Sequence, residues 1–110
     1  MSDMFADREK GYEAKWVHDA DMRFKILARR TELLGLWAAG ELGLSGAEAD
    51  AYAKDLVKLA VVAKKDGLDV ATAKIRRDFQ AGKIALAEDI LHRKIMLFAE
   101  TASAELEKGA

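Results

Sequence analysis

Apolar residues recur along most of the chain at steps of three and four, the period of an amphipathic α-helix. The first such pattern runs from about Glu13 to Leu42. It ends at the stretch GELGLSG, whose glycines favour turns over helix. Trp37 stands inside an apolar run, so we expect it in the core. The apolar positions of this helix are Ile26, Leu27, Leu33, Leu34, Trp37 and Ala38.

A second helix is predicted to begin after Ser45. Ser45 and Glu48 form an S-x-x-E capping box, in which each side chain accepts a hydrogen bond from a backbone N–H. Gly67 suits a left-handed cap at the far end of this helix. The apolar face consists of Ala49, Tyr52, Ala53, Leu56, Ala60 and Ala63.

Two further helices follow. Asp69 is the predicted N-cap of a short third helix that ends at Gly82, and the fourth runs from about Leu86 to Glu107. Short loops place neighbouring helices antiparallel, so the predicted fold is an all-α four-helix bundle. The apolar positions of these helices are Leu68, Ala71, Ile75 and Phe79, then Ala87, Leu91, Ile95, Phe98, Ala102 and Leu106.

Composition supports an all-helical fold. The chain has 110 residues, about one domain, and contains no proline. Alanine, leucine, lysine and glutamate, all strong helix formers, dominate the sequence. Hydrophobic residues make up 51% of the chain, which is too apolar for a disordered protein.

The segment that precedes the bundle has a different pattern. Phe5, Tyr12 and Trp16 stand among charged residues, and on a helix they fall within about 40° of one another. Such a polar stretch is a marginal helix alone and can become ordered on a partner. We therefore divide the chain into a flexible, helix-prone N-terminal arm, residues 1–21, and a bundle, residues 22–110. Trp16 is either a latch onto the bundle or an interface anchor.

Charge and hydropathy exclude several classes of protein. The net charge is −1 and the pI about 6.1, which disfavours a nucleic-acid binder. The N-terminus lacks the apolar core of a signal peptide, and the apolar runs are too short to cross a bilayer. We expect a soluble, cytoplasmic protein that is not inserted in a membrane.

No motif predicts catalysis, so we expect no catalytic residue, metal site or cofactor. The chain has no phosphate-binding GxxxxGK[ST] loop and no HExxH, and it contains no cysteine to complete a zinc site. Its two histidines, His18 and His92, are far apart in sequence. His18 lies beside Asp19 and Asp21, where a solvated polar face is favoured over a carboxylate–histidine cluster. A near-neutral pKa at His18 would make partner binding sensitive to pH.

Basic doublets form another candidate feature. Lysine or arginine is paired at 29–30, 64–65 and 76–77, each time among acidic residues. An ordinary charged surface is the favoured interpretation. The alternative is a phosphate contact with a nucleotide or a protein partner, because arginine presents a planar fork of donors. The candidate residues are Arg29, Arg30, Arg76 and Arg77.

Three blocks of sequence resemble the zeta subunit of the alphaproteobacterial F-type ATP synthase, a small inhibitor of its ATPase activity. FADREKGYEAKWVHD, at 5–19, resembles the family opening F-x-x-R-E-x-x-[FY]-E-A-K-[FW]-x-H-D. ARRTELLGLWAA, at 28–39, is similar to a second block, A-R-R-x-x-L-x-G-L-W-A-A. GAEADAYAK, at 46–54, is similar to a third. The resemblance is close from Phe5 to about Lys54 and weaker beyond Lys58.

The resemblance implies an inhibitor whose arm enters a catalytic interface of the synthase head and becomes helical there. Wedged against the catalytic subunits and the central stalk, it would block rotation in the hydrolysis direction. We consider two alternatives: a weakly inhibitory or non-inhibitory accessory of the synthase, and a small nucleotide-binding regulator. The implied partner-binding residues are the anchors Phe5, Tyr12 and Trp16 and the polar residues Arg8, Glu9, Lys10, Glu13 and Lys15.

Overall fold

The computed structural model describes residues 20–63 and 67–109, and it folds them into four α-helices. These residues contain no β-strand. The all-α four-helix bundle predicted from the sequence is confirmed. The helices are α1 (Ala20–Glu41), α2 (Gly46–Val62), α3 (Gly67–Ala81) and α4 (Glu88–Gly109).

Most helix ends agree closely with the sequence pattern. α1 ends at Glu41, one residue before the predicted Leu42, whereas its predicted start at Glu13 lies outside the described residues. α3 ends just before Gly82, as predicted, and the left-handed residue of the following turn is Lys83, with φ 57°. α4 is shifted by two residues toward the C-terminus at both ends.

Two helix caps predicted between the second and third helices are wrong. Gly67 is not a left-handed cap; it is the first residue of α3, packed against Ala60. A Cβ at Gly67 would clash with the carbonyl oxygen of Ala60, so glycine is needed here for close helix approach. Asp69 is not an N-cap either, because it lies inside the first turn of α3.

The predicted capping box does not form, although Ser45 is the N-cap of α2. Its side chain makes no capping hydrogen bond, and the Glu48 N–H donates to the Ser45 carbonyl oxygen at 3.2 Å. Gly46, the next residue, has φ 55°. A capping box requires helical geometry from the first position of the helix, and this left-handed residue removes it.

The core is organised around α1, which packs against the other three helices, while α2 also packs against α3. Trp37 is half-buried and its ring centroid lies 5.9 Å from that of Phe79, so its predicted packing on the core is confirmed. The central cluster of buried side chains consists of Leu34, Ala38, Leu56, Ala60, Ala71, Ile75, Phe79 and Leu91.

α1 and α2 cross at very short distance beside Gly35. A Cβ built on Gly35 would lie 2.8 Å from the Cα of Ala53 and 3.1 Å from its Cβ. Glycine facing alanine therefore lets the two backbones meet, and this crossing fixes the position of α2 relative to α1.

Candidate functional site

The arm residues predicted to bind a partner lie outside the described residues. The first described residue is Ala20, where α1 begins, so the last two residues of the predicted arm already belong to the central helix of the bundle. The surface of α1 beside this junction is the part of the candidate site that the structure describes. The arm residues concerned are Phe5, Arg8, Glu9, Lys10, Tyr12, Glu13, Lys15 and Trp16.

An open groove of about 490 Å³ lies on this surface, between α1, α2 and α4. It exists because α2 and α4 both pack on α1, while the backbones of these two helices do not contact one another. We call it the α1–α2–α4 groove. Its lining consists of Phe24, Lys25, Ala28, Arg29 and Glu32 of α1, Lys54, Val57 and Lys58 of α2, and Leu106 of α4.

Apolar side chains line much of this groove. Phe24 is 53% exposed, although burying an aromatic side chain contributes roughly 2–3 kcal/mol. Val57 and Leu106 are half-buried beside it. Phe24 therefore presents an apolar surface that another polypeptide can cover.

Phe24 was not among the residues singled out from the sequence. The sequence feature that could have indicated it is its spacing: Phe24 is an aromatic residue two positions before Ile26, and Ile26 is buried. Residues two apart on a helix point to different sides, so Phe24 had to leave the core face. Nothing in the local sequence, however, indicated that Val57 and Leu106 would lie beside it.

The rim of the groove is basic. Lys25 is paired with Asp21 at 3.2 Å, and both side chains are exposed. Lys54 and Lys58 stand one turn apart on α2, and within the described chain no carboxylate lies within 4.0 Å of either. These two lysines place positive charge along the α2 side of the groove, without an ion-pair partner in the described part of the chain.

Arg29 closes the rim between α1 and α4. Its Nε donates to Glu105 Oε1 at 2.7 Å and its Nη1 to Glu32 Oε1 at 2.9 Å. The hydrogen bond from Arg29 holds the pKa of the Glu105 carboxyl below its usual range. The guanidinium group of Arg29 is thus occupied by two carboxylates and joins α4 to α1.

Arg30 has a different environment from its neighbour. Burial lowers the pKa of its guanidinium group, and its Nε has no hydrogen-bond partner among the described residues. The adjacent Thr31 hydroxyl is also buried without a described partner. Buried polar groups are generally hydrogen-bonded, so these two groups have the capacity for a partner outside the described residues.

The arginines proposed for phosphate binding lie in two separate places. Arg76 of α3 donates through Nη2 to Glu88 Oε1 at 2.9 Å, at the start of α4, whereas Arg29 pairs with Glu105 near its end. On one helix Glu88 and Glu105 are about 25 Å apart. Arg77 is exposed next to Arg76. The structure therefore does not bring the two arginine pairs together around one phosphate.

Histidines and metal-binding side chains are the remaining candidate chemistry of the surface. His92 is exposed on α4, and His18 lies outside the described residues. Residues 20–63 and 67–109 contain no group of three histidine, cysteine, aspartate or glutamate side chains placed to hold a metal ion. None of their helices is both long and apolar enough to cross a bilayer.

Fold and surface together define a small helical protein with an apolar, lysine-rimmed groove next to the start of its central helix. The family model described as ATPase inhibitor subunit zeta matches residues 1–105, so the chain belongs to this family. The match confirms the resemblance found in the sequence and covers residues 1–21, the predicted arm, together with nearly all of the four helices. The family name indicates an ATPase inhibitor subunit. A comparison with curated proteins found no match.

Proposed function

We propose that this protein inhibits ATP hydrolysis by F-type ATP synthase. Its arm, residues 1–21, inserts at a catalytic interface of the synthase head, and the bundle remains outside. The observation that supports this proposal is the extent of the family match, which begins at residue 1 and so includes the whole arm. An inhibitor family whose pattern includes a polar segment with three aromatics is consistent with an arm that works by binding.

The proposed mechanism needs no bond chemistry from the inhibitor. Inserted between the catalytic subunits and the central stalk, the arm blocks rotation in the hydrolysis direction, whereas rotation in the synthesis direction expels it. The partner is thus the head of the synthase, and the protein acts at the cytoplasmic periphery of that membrane-bound complex. It is a regulator and not an enzyme.

The energetics of binding depend on the aromatic anchors. Burial of Phe5, Tyr12 or Trp16 contributes on the order of 2–3 kcal/mol each. Ordering some 15–20 residues opposes binding, and at roughly 1 kcal/mol or more per residue its cost exceeds the gain from three anchors alone, so the polar contacts of the arm have to contribute as well. The net affinity is then a small difference between large quantities, so loss of one anchor should weaken inhibition strongly.

The bundle supports the base of the arm. α1 contacts all three other helices, and its buried positions begin at Ile26, so the arm continues into a helix that is packed into the core. A force exerted on the arm by the rotating stalk would be transmitted along α1 to the whole bundle. This arrangement suits a mechanical block.

The test is ATP hydrolysis by the purified cognate synthase head. The full chain should inhibit, and a variant that lacks residues 1–15 should not. A full-length variant with alanine at Phe5, Tyr12 and Trp16 is the matched control for chain length, and it should also fail. Equal inhibition by all three proteins would contradict the arm mechanism. No inhibition by any of them would favour a non-inhibitory accessory of the synthase.

A nucleotide-binding regulator is the second candidate. The observation in its favour is the buried Nε of Arg30, which lacks a partner among the described residues. A titration of isotope-labelled protein with ATP tests it. Saturable NMR shifts at Arg29 and Arg30, absent in the Arg30→Met variant, would support this function, and unchanged spectra would reject it.

A further inference from the structure

We propose that, in the free protein, the N-terminal arm folds back and docks in the α1–α2–α4 groove. Phe5 lies against Phe24 and Val57, and the neighbouring aspartates pair with the lysines of α2. The docking does not depend on the proposed function, although its effect on inhibition does.

The arm is long enough and is attached in the right place. It joins the structure at Ala20, and Phe24 follows about 6 Å further along α1. The far end of the groove, at Glu32, lies about 18 Å from Ala20 along the same axis. The 19 residues that precede Ala20 span up to about 60 Å when extended, so the arm can reverse its direction and still reach every part of the groove.

The size and polarity of the groove suit an aromatic side chain. Its volume of about 490 Å³ lies within the range of pockets that bind small organic ligands. Phe24, Val57 and Leu106 supply the apolar contacts. Phe5 is the aromatic of the arm most distant from Ala20, and therefore the one with the most freedom to return to the groove.

The charges on the two surfaces are complementary. Asp3, Phe5 and Asp7 alternate, so all three point to the same side of an extended segment. On α2, Lys54 and Lys58 flank Val57 on one side of the helix. An acidic, aromatic, acidic arrangement thus faces a basic, apolar, basic one. The lysines have no carboxylate partner in the described chain, and their flexible stems can reach carboxylates on either side of Val57.

Docking would reduce the fraction of molecules that are ready to bind the synthase. The apparent affinity of a partner falls in proportion to the competent fraction. If half or more of the molecules are docked, a variant that frees the arm inhibits at a concentration at least about twofold lower than the natural chain. The groove is then a built-in restraint on the inhibitor.

Paramagnetic broadening in the free protein tests the contact directly. The chain contains no cysteine, so Ser2→Cys accepts a single nitroxide label beside Asp3. We expect selective broadening of the amide signals of Lys54, Val57 and Lys58. Val57→Glu should abolish it. Val70→Glu changes a valine that is 39% exposed on α3, outside the groove, and should leave it unchanged.

The controls separate the other occupants of the groove. Should Val57→Glu fail to fold, Lys58→Glu replaces it, with the same expected loss of broadening. Broadening that is absent, or unaffected by the groove variant, would overturn the proposal. Broadening seen only between a labelled chain and a second, isotope-labelled chain would overturn it in favour of a dimer contact. Because no synthase is present, these outcomes do not depend on whether the protein inhibits.

Discussion

The phenolic hydroxyl of Tyr52 on α2 donates a 2.7 Å hydrogen bond to Oδ2 of Asp78 on α3. Lys74 Nζ donates to the same oxygen at 2.6 Å and lies 5.0 Å from the centre of the Tyr52 ring. Burial, followed by the bond to Asp78, raises the pKa of Tyr52 well above its usual value. Burial alone would raise the pKa of Asp78, but the bonds from Lys74 and Tyr52 outweigh it and the pKa is lowered. This contact joins α2 to α3 beside the core.

These pKa shifts predict how stability depends on pH. The raised pKa of Tyr52 stabilises the fold fully below about pH 10, the ordinary tyrosine pKa, and this contribution is lost as pH rises toward the folded-state pKa. The lowered pKa of Asp78 acts in the opposite direction: its contribution is present above about pH 4 and is lost as pH falls through the folded-state pKa. Measured against pH, the melting temperature should fall at alkaline pH, where Tyr52 ionises, and at acidic pH, where Asp78 is protonated.

The variant Tyr52→Phe tests whether Tyr52 causes the loss of stability at alkaline pH. At pH 7 we expect it to lower the free energy of unfolding by about 1 kcal/mol, the contribution of one hydrogen bond that is partly open to solvent. Between about pH 10 and 11 its stability should decline less steeply than that of the natural chain. Tyr12→Phe, at the other tyrosine, is the matched control and should change neither quantity. An identical alkaline slope in all three proteins would contradict the assignment.

The crossing at Gly35 predicts an unusual response to alanine. Within a helix Gly→Ala usually stabilises by up to about 1 kcal/mol. Gly35→Ala should instead destabilise the bundle by about 1–3 kcal/mol, because its Cβ would lie 2.8 Å from the Cα of Ala53. A Cβ added at Gly40, near the end of the same helix, would meet no neighbouring atom within 4 Å, so Gly40→Ala should be neutral or slightly stabilising. Urea unfolding of both variants measures the difference; equal effects would contradict the close crossing.

The fold was predictable because the apolar residues of its helices recur at helical spacing. Ile75 and Phe79, for example, recur at helical spacing and are both buried in α3. The wrong predictions fall where contact with a neighbouring helix, and not the local sequence, determines the conformation of a residue. Gly67 has the sequence signature of a helix end, yet it opens α3 because only glycine fits against Ala60. Local patterns do not contain that contact.

The groove was not predictable from the sequence for a similar reason. Val57 and Leu106 belong to helices whose backbones do not contact one another, and the common packing of these helices on α1 places the two side chains around Phe24. No spacing along the chain encodes this gap between α2 and α4. The predicted partner residues of the arm, from Phe5 to Trp16, stay predictions, since they lie outside the described residues.

The ion pair between Arg29 and Glu105 predicts local rather than global effects. Glu105 is exposed, so Glu105→Gln should leave the melting temperature almost unchanged. It should, however, speed hydrogen exchange in the last turns of α4, which the pair joins to α1. High salt should produce the same acceleration in the natural chain and none in the variant. Glu100→Gln, at an exposed position of the same helix, is a control for charge. Unchanged exchange at the end of α4 in Glu105→Gln would show that the pair does not hold it.

The two tryptophans should separate inhibition from stability. Trp37 packs on Phe79, so Trp37→Ala should lower the free energy of unfolding by about 2–4 kcal/mol. Trp16→Ala should leave the melting temperature of the bundle nearly unchanged and weaken inhibition by at least about tenfold, because an arm anchor is lost. Thermal unfolding and ATP hydrolysis, measured on both variants, form a crossed test. A clear fall in melting temperature for Trp16→Ala would instead place Trp16 in the core, and the interface role of the arm would then have to depend on Phe5 and Tyr12.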